Sequence, residues 1–201
     1  MMILAIDTAL DACSAAVLDT TSGNTIAIES QAMQRGHAEA LMPLIARVMK
    51  ESGIGFAGLD RIAVTTGPGS FTGLRVGLSA ARGLALAAEK PVVGLSTLAA
   101  YAAPVVAENG ASAILSAIDA RHDHVYFQLV GGDGSPIIKP KAAPIAEALE
   151  ASQTRRAASG RQRRQCPRRA LARRRSTAGQ GRPAARARYY LGRLDRRGRG
   201  S

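Results

Sequence analysis

The stretch Thr66-Gly67-Pro68-Gly69-Ser70-Phe71-Thr72-Gly73-Leu74-Arg75-Val76-Gly77 constrains this chain more than any other. A β-type run, Arg61 to Thr65, leads into it, and a long alanine-rich helical pattern leaves it. It is a glycine-rich strand-to-helix turn. In an α/β protein such a turn either holds an anion at the helix N-terminus or presents the helix to a close neighbour. The turn has neither the lysine of a P-loop nor the spacing of a dinucleotide fingerprint, which weighs against the anion. Ser70 or Thr72 can supply the N-cap. The helix, expected over Thr72–Ala88, carries Gly73, Gly77, Ala81 and Ala85 four residues apart on one face. Each interior glycine costs about 1 kcal/mol against alanine, so close packing must compensate, and a second helix is the expected neighbour.

The elements before the turn follow from hydrophobic period. Met2–Asp7, Cys13–Leu18 and Thr25–Ser30 read as three strands of an antiparallel meander, with turn residues from Thr20 to Asn24. Arg35–Ser52 switches to a helical period. Ala38, Leu41, Met42, Ile45, Val48 and Met49 share one expected face, Pro43 marks a start or a kink, and Gly53 is a stop. After the turn and its helix, Pro91–Leu95 is a fifth strand. Ser96 or Thr97 is the expected cap of a third helix ending near Pro104. The order β-β-β-α-β-α-β-α fills residues 1–108 as a first α/β lobe. A second lobe starts over residues 109–152, with strands Ala113–Asp119, His124–Val130 and a short one at Pro136–Ile138, then a helix from Ala143 to Glu150.

Charge separates a third region. Residues 153–201 hold 17 arginines, no lysine and one acid, Asp195, a net +16, whereas residues 1–152 hold 10 basic against 14 acidic groups, a net −4. The 49 residues of this tail contain no Val, Ile, Phe or Met. Such a segment cannot bury enough surface to offset its ordering entropy, so disorder is expected. Two readings of the tail stand. It is a basic arm that binds nucleic-acid phosphates, or it is the product of a GC-rich gene read out of frame. No apolar run is long enough to span a bilayer and no leader opens the chain, so an unexported, cytoplasmic protein with no membrane partner is expected. The two cysteines, Cys13 and Cys166, lie far apart and form neither a disulfide framework nor a metal site.

Three groups of residues invite a chemical role. Asp7, at a strand end, could help place a phosphate with Gly67, Gly69 and Ser70. Ala9 and Leu10 follow it where an active phosphate-handling site wants glycine, which favours a structural carboxylate. Ser70, His37 and Asp7 could be drawn as a hydrolase triad, but no G-x-S-x-G elbow surrounds Ser70. Asp119 and Arg121 fit the turn of a hairpin.

Four segments carry a resemblance: Ile3-Leu4-Ala5-Ile6-Asp7-Thr8; Gly36-His37-Ala38-Glu39-Ala40-Leu41-Met42-Pro43; the Gly67–Gly77 turn; and Asp119-Ala120-Arg121-His122-Asp123-His124-Val125-Tyr126. In this order they resemble the tRNA threonylcarbamoyladenosine biosynthesis protein TsaB (YeaZ) family over residues 2–150. The resemblance implies an actin/hexokinase-like (ASKHA, RNase H-like) fold with an incomplete second lobe. It also implies a subunit that is not catalytic on its own and supports a TsaD-like transferase, with a TsaE-like ATPase as a further partner. That complex modifies the adenosine beside the tRNA anticodon, so tRNA is met indirectly. No cofactor is expected on the lone chain, and ATP/Mg only through the complex. The family's partner surface is a bundle of first-lobe helices, also available to a homodimer. On this sequence that implies Leu41, Ile45, Met49, Gly73, Gly77 and Ala81. The rival reading is an independent ATP-binding enzyme using Asp7 and the Gly67–Ser70 turn.

Overall fold

The computed structural model describes residues 1–109 and 113–158. These fall into two compact units that divide after Pro104. The first runs β1 (Met2–Asp7), β2 (Ala12–Asp19), β3 (Asn24–Ala32), α1 (His37–Ser52), β4 (Arg61–Thr65), α2 (Phe71–Ala88), β5 (Val92–Leu95) and the start of α3 (Thr97–Asn109). Its sheet has the order β3-β2-β1-β4-β5. The β1–β2 and β2–β3 pairs are antiparallel, as the meander requires, and β1–β4 and β4–β5 are parallel. This is the actin/hexokinase-like first lobe that the family resemblance implies.

α1 and α2 pack on the same face of the sheet. Leu4, Ile6, Val17, Ile62 and Val64 from the strands meet Leu41, Leu44, Ile45, Val48 and Ala81 from the helices, all almost fully buried. Burying each large side chain contributes roughly 1.5–3 kcal/mol, so this layer carries most of the lobe's stability. α1 ends where the sequence places its stop, at Gly53 with φ 68°. Its buried face is rotated from the expected one: His37 and Leu44 point inward, while Ala38 and Met42 are exposed. Pro43 lies in the second turn of the helix and does not start it. α3 likewise runs through Pro104 to Asn109 and does not end there, because a proline removes one helical hydrogen bond without blocking the turns beyond it. The expected side-chain cap on α3 is not made. The hydroxyls of Ser96 and Thr97 are buried without a partner, and the first turn closes through the backbone, Ala100 N–H donating to Ser96 O.

The turn end of the β2–β3 hairpin is fixed by Asp19. Its carboxylate accepts from the Thr21 N–H at 2.9 Å and the Ser22 hydroxyl at 2.8 Å, and pairs with the N-terminal ammonium at 3.3 Å. The Thr21 N–H first, then the Ser22 hydroxyl, hold this carboxyl down at about 2, against an ordinary 3.8. The folded value is the depressed one. Its stabilising contribution is therefore complete above about pH 4 and is lost as the pH falls towards 2. A side-chain carboxyl titration by NMR is expected to give a midpoint near 2. An ordinary midpoint would mean that the hairpin contacts do not form in solution.

The second unit has the antiparallel sheet β6 (Ile114–Arg121), β7 (His124–Val130), β8 (Pro136–Pro144), followed by α4 (Ile145–Ala158). Phe127 is its central buried side chain, packed with Ala143 and Ala148. β8 is nine residues long, where the sequence suggests a short strand, because pairing with β7 carries it past Pro140 to Pro144. The β6–β7 turn places Arg121, His122 and Asp123 in succession at φ 67°, 52° and 57°. Asp119 accepts the Arg121 N–H at 2.7 Å, which gives that carboxylate the turn-organising place expected of it. α4 keeps helical backbone through Ala158, six residues into the stretch expected to lack order. The remainder of the Arg-rich tail lies outside the described residues. No helix among the described residues is long and apolar enough to cross a membrane.

Candidate functional site

The parallel strands β1, β4 and β5 end together at Asp7, Thr65 and Leu95, the edge where α/β sheets bind ligands. Asp7 is engaged there by the lobe itself. Its Oδ1 accepts the Thr65 hydroxyl at 2.7 Å and the Ala9 N–H at 3.0 Å, and the Tyr101 hydroxyl lies 3.5 Å from Oδ2. Burial, then the charge of Asp7, push the Tyr101 phenol up, so it stays a neutral donor to that carboxylate. Asp7 ties β1, β4 and α3 together, which is the structural reading of this residue.

The Gly67–Ser70 turn sits directly on the β1–β2 connection. Ser70 N–H donates to Ala9 O at 2.7 Å, and Thr8 Oγ1 donates to Gly73 O at 2.7 Å. Ser70 caps α2 through its own side chain, accepting the Gly73 N–H at 3.3 Å, as the sequence suggests. A Cβ on Gly69 would collide with Ala9 O, and one on Gly73 with Thr8 O. The carbonyls of Thr8 and Ala9 therefore lie close against the start of α2. Gly67, at φ 111°, shapes the turn, and its carbonyl accepts the Thr97 N–H at 2.8 Å. The phosphate set Asp7, Gly67, Gly69 and Ser70 is thus brought together, and Asp7, the Ser70 N–H and the Gly67 carbonyl each make contacts within the lobe. The imagined triad does not assemble: His37 Nε2 faces the Leu10 carbonyl at 3.2 Å, and Ser70 Oγ serves the cap.

The small-residue stripe finds a different neighbour from the one expected. Gly73, Gly77, Ala81 and Ala85 are all buried, but what approaches them at Gly73 and Gly77 is the end of β1. A Cβ on Gly77 would strike Thr8 Oγ1, with Val64 Cγ2 at 3.6 Å. Leu41, Ile45 and Met49 are 1%, 0% and 6% exposed. All six residues assigned to a partner surface are therefore core residues of this lobe, and Gly77→Leu would disrupt the lobe before it tested any partner. What the helices do present outward was missed. Met42 on α1, and Phe71 and Leu86 on α2, are 46%, 69% and 84% exposed. The Arg75 guanidinium stacks 3.9 Å over the Phe71 ring. The signal was available: positions 71, 75, 82 and 86 lie opposite the small stripe on a 3.6-residue helix. Cys13 is buried, and burial, then Asp7, push its thiol up, so it is no nucleophile.

The first unit is thus an actin/hexokinase-like lobe whose Gly67–Ser70 turn packs on its own β1–β2 connection and whose helices leave Met42, Phe71 and Leu86 exposed. The family model described as TsaD, tRNA N6-adenosine threonylcarbamoyltransferase, matches residues 25–188. The tRNA threonylcarbamoyladenosine biosynthesis protein TsaB of Escherichia coli is 41% identical over 127 residues, covering 63% of this chain and 54% of that one. TsaB of Haemophilus influenzae is 40% identical over 133 residues, covering 65% and 54%. A crystal structure of a YeaZ-like protein from Pseudomonas aeruginosa superposes with a TM-score of 0.64 at 34% identity, covering 71% of this chain and 66% of that one. The chain belongs to the TsaB/YeaZ family, within the broader TsaD family. It spans about half the length of the curated relatives that it matches.

Proposed function

We propose that this chain is a non-catalytic supporting subunit in the synthesis of threonylcarbamoyladenosine on tRNA, with a TsaD-like transferase as its direct partner. The observation that carries this reading is the closed turn. The carboxylate that an independent ATPase of this fold would use is engaged with Thr65, Ala9 and Tyr101, and the Ser70 N–H at the head of α2 with the Ala9 carbonyl. These residues do not fit a nucleotide phosphate. ATP/Mg, a TsaE-like ATPase and the tRNA then reach this subunit only through the assembled complex. The outer face of α1 and α2, with Met42, Phe71 and Leu86, is the surface offered to the transferase. The same face would serve a homodimer of this chain when the transferase is absent.

Two measurements on the full chain test this. Calorimetric titration with ATP and Mg²⁺ is expected to give no heat of binding, and co-expression with a TsaD-like transferase is expected to give a co-purifying pair. Clear nucleotide binding by the lone chain would favour the independent ATP-binding enzyme, with Asp7 and Gly67–Ser70 as its site. Failure of the co-expressed pair to co-purify would remove the supporting role.

A further inference from the structure

The outer face of α2 carries a charge pattern as well as an apolar one. The helix has 18 residues, and its charged side chains are Arg75 and Arg82, with no acid. Both arginines are exposed. They stand two turns apart, about 10 Å along the axis, so they share one side of the helix. Phe71 lies one turn before Arg75 and Leu86 one turn after Arg82, so both guanidiniums fall between the two exposed apolar side chains. Arg75 is held over the Phe71 ring. Arg82 has no ion-pair partner among the described residues. On the same side of the sheet, α1 carries Glu39 and Glu51 against Arg47 and Lys50 and adds no net charge.

We propose that Arg75 and Arg82 select a carboxylate-bearing surface on the transferase, and that this pairing steers its association with the chain. The inference rests on the reading that the transferase docks on the outer face of α1 and α2. A partner that covers both Phe71 and Leu86 must also cover what lies between them. Burying an unpaired guanidinium leaves an uncompensated charge that apolar contact does not offset, so the covering surface needs carboxylates at that place. The planar fork of arginine suits them, because two parallel N–H groups can donate to one carboxylate. Nucleic-acid phosphate is the other anion that could meet these groups. Residues 1–152 carry a net −4, which repels a polyanion, and apolar anchors on both sides of the guanidiniums fit a protein surface.

Association kinetics of the full chain with a TsaD-like transferase, at about 0.05 M and about 1 M salt, test the pairing. Arg82→Glu is expected to slow association about tenfold at the lower salt and by less than about twofold at the higher, where charges more than about 3 Å apart are screened. Arg82→Lys keeps the charge and is expected to keep the rate within about twofold, and Arg82→Gln falls between the two. The 17 arginines of residues 153–201 add a salt dependence of their own, but they are common to every variant, so the ratio of variant to parent isolates Arg82. Lys139→Glu makes the same charge change on the second unit and is expected to leave the ratio unchanged. Circular dichroism shows that each variant is folded before its rate is compared. An Arg82→Glu chain that associates as fast as the parent at low salt, or faster, would overturn the proposal and leave the docking reading intact. Equal slowing by Arg82→Glu and Lys139→Glu would also overturn it, because net charge and not the pairing would then be at work. So would tRNA bound by the lone parent chain and released by Arg82→Glu, which would put phosphates on these guanidiniums. A parent that fails to associate at either salt removes the docking reading and this inference with it.

Discussion

Gly73→Ala is expected to destabilise the first unit by at least about 3 kcal/mol, the upper range for overpacking a core. The added methyl falls inside the contact distance of the Thr8 carbonyl oxygen, a backbone atom that no rotamer change can move aside. The two segments cannot simply separate either, because Thr8 Oγ1 is bonded to Gly73 O at 2.7 Å inside the same buried contact. For a unit of this size the cost corresponds to a drop in melting temperature of roughly 12 °C or more. Gly83→Ala is the internal control. Gly83 lies in the same helix, and its added Cβ would have nothing within 4 Å. There the change removes only glycine's backbone entropy and is expected to stabilise by up to about 1 kcal/mol. Thermal unfolding of both variants, followed by circular dichroism, separates close packing from helix propensity. Equal melting temperatures would mean that β1 and α2 do not approach as described.

The same residues show how far the sequence could be read. The start, end and buried face of α2 were legible, because a cap, a helical period and a four-residue stripe are local properties. The stripe also stated correctly that something comes very close. It could not say what. A helix and the end of a strand both want small residues opposite them, and only the parallel pairing of β1 with β4 decides between them. That pairing links positions 58 residues apart and leaves no mark on either segment. The rotated face of α1 has a related cause. Met42 and Leu44 are both apolar, and which one points inward depends on how the helix sits on β2 and β3, as the Arg47–Glu29 ion pair at 2.6 Å illustrates. Asp7 was read as structural from its neighbours Ala9 and Leu10. Its partners Thr65 and Tyr101, distant in the chain, were out of reach. The tail stood out by composition, and that is all a sequence can offer for it.

The second large effect concerns the outer face of α1 and α2. Phe71→Asp combined with Leu86→Asp is expected to abolish co-purification with a TsaD-like transferase, a loss of affinity of at least about 100-fold, as for two interface residues each worth about 1.4 kcal/mol or more. Both side chains are too exposed to hold the lobe together, at 69% and 84%. The melting temperature should therefore stay within about 2 °C of the parent, as for surface substitutions generally. Phe71 is the stronger candidate of the two. The Arg75 guanidinium at 3.9 Å over its ring holds it at the surface in a fixed orientation, and a preset aromatic loses little entropy on docking. Arg75→Ala should consequently weaken the pair less than Phe71→Asp and in the same direction. The melting temperature makes the outcome decisive. A folded double variant that still binds the transferase would move the partner surface off these helices, and an unfolded one would mean that Phe71 and Leu86 belong to the core after all.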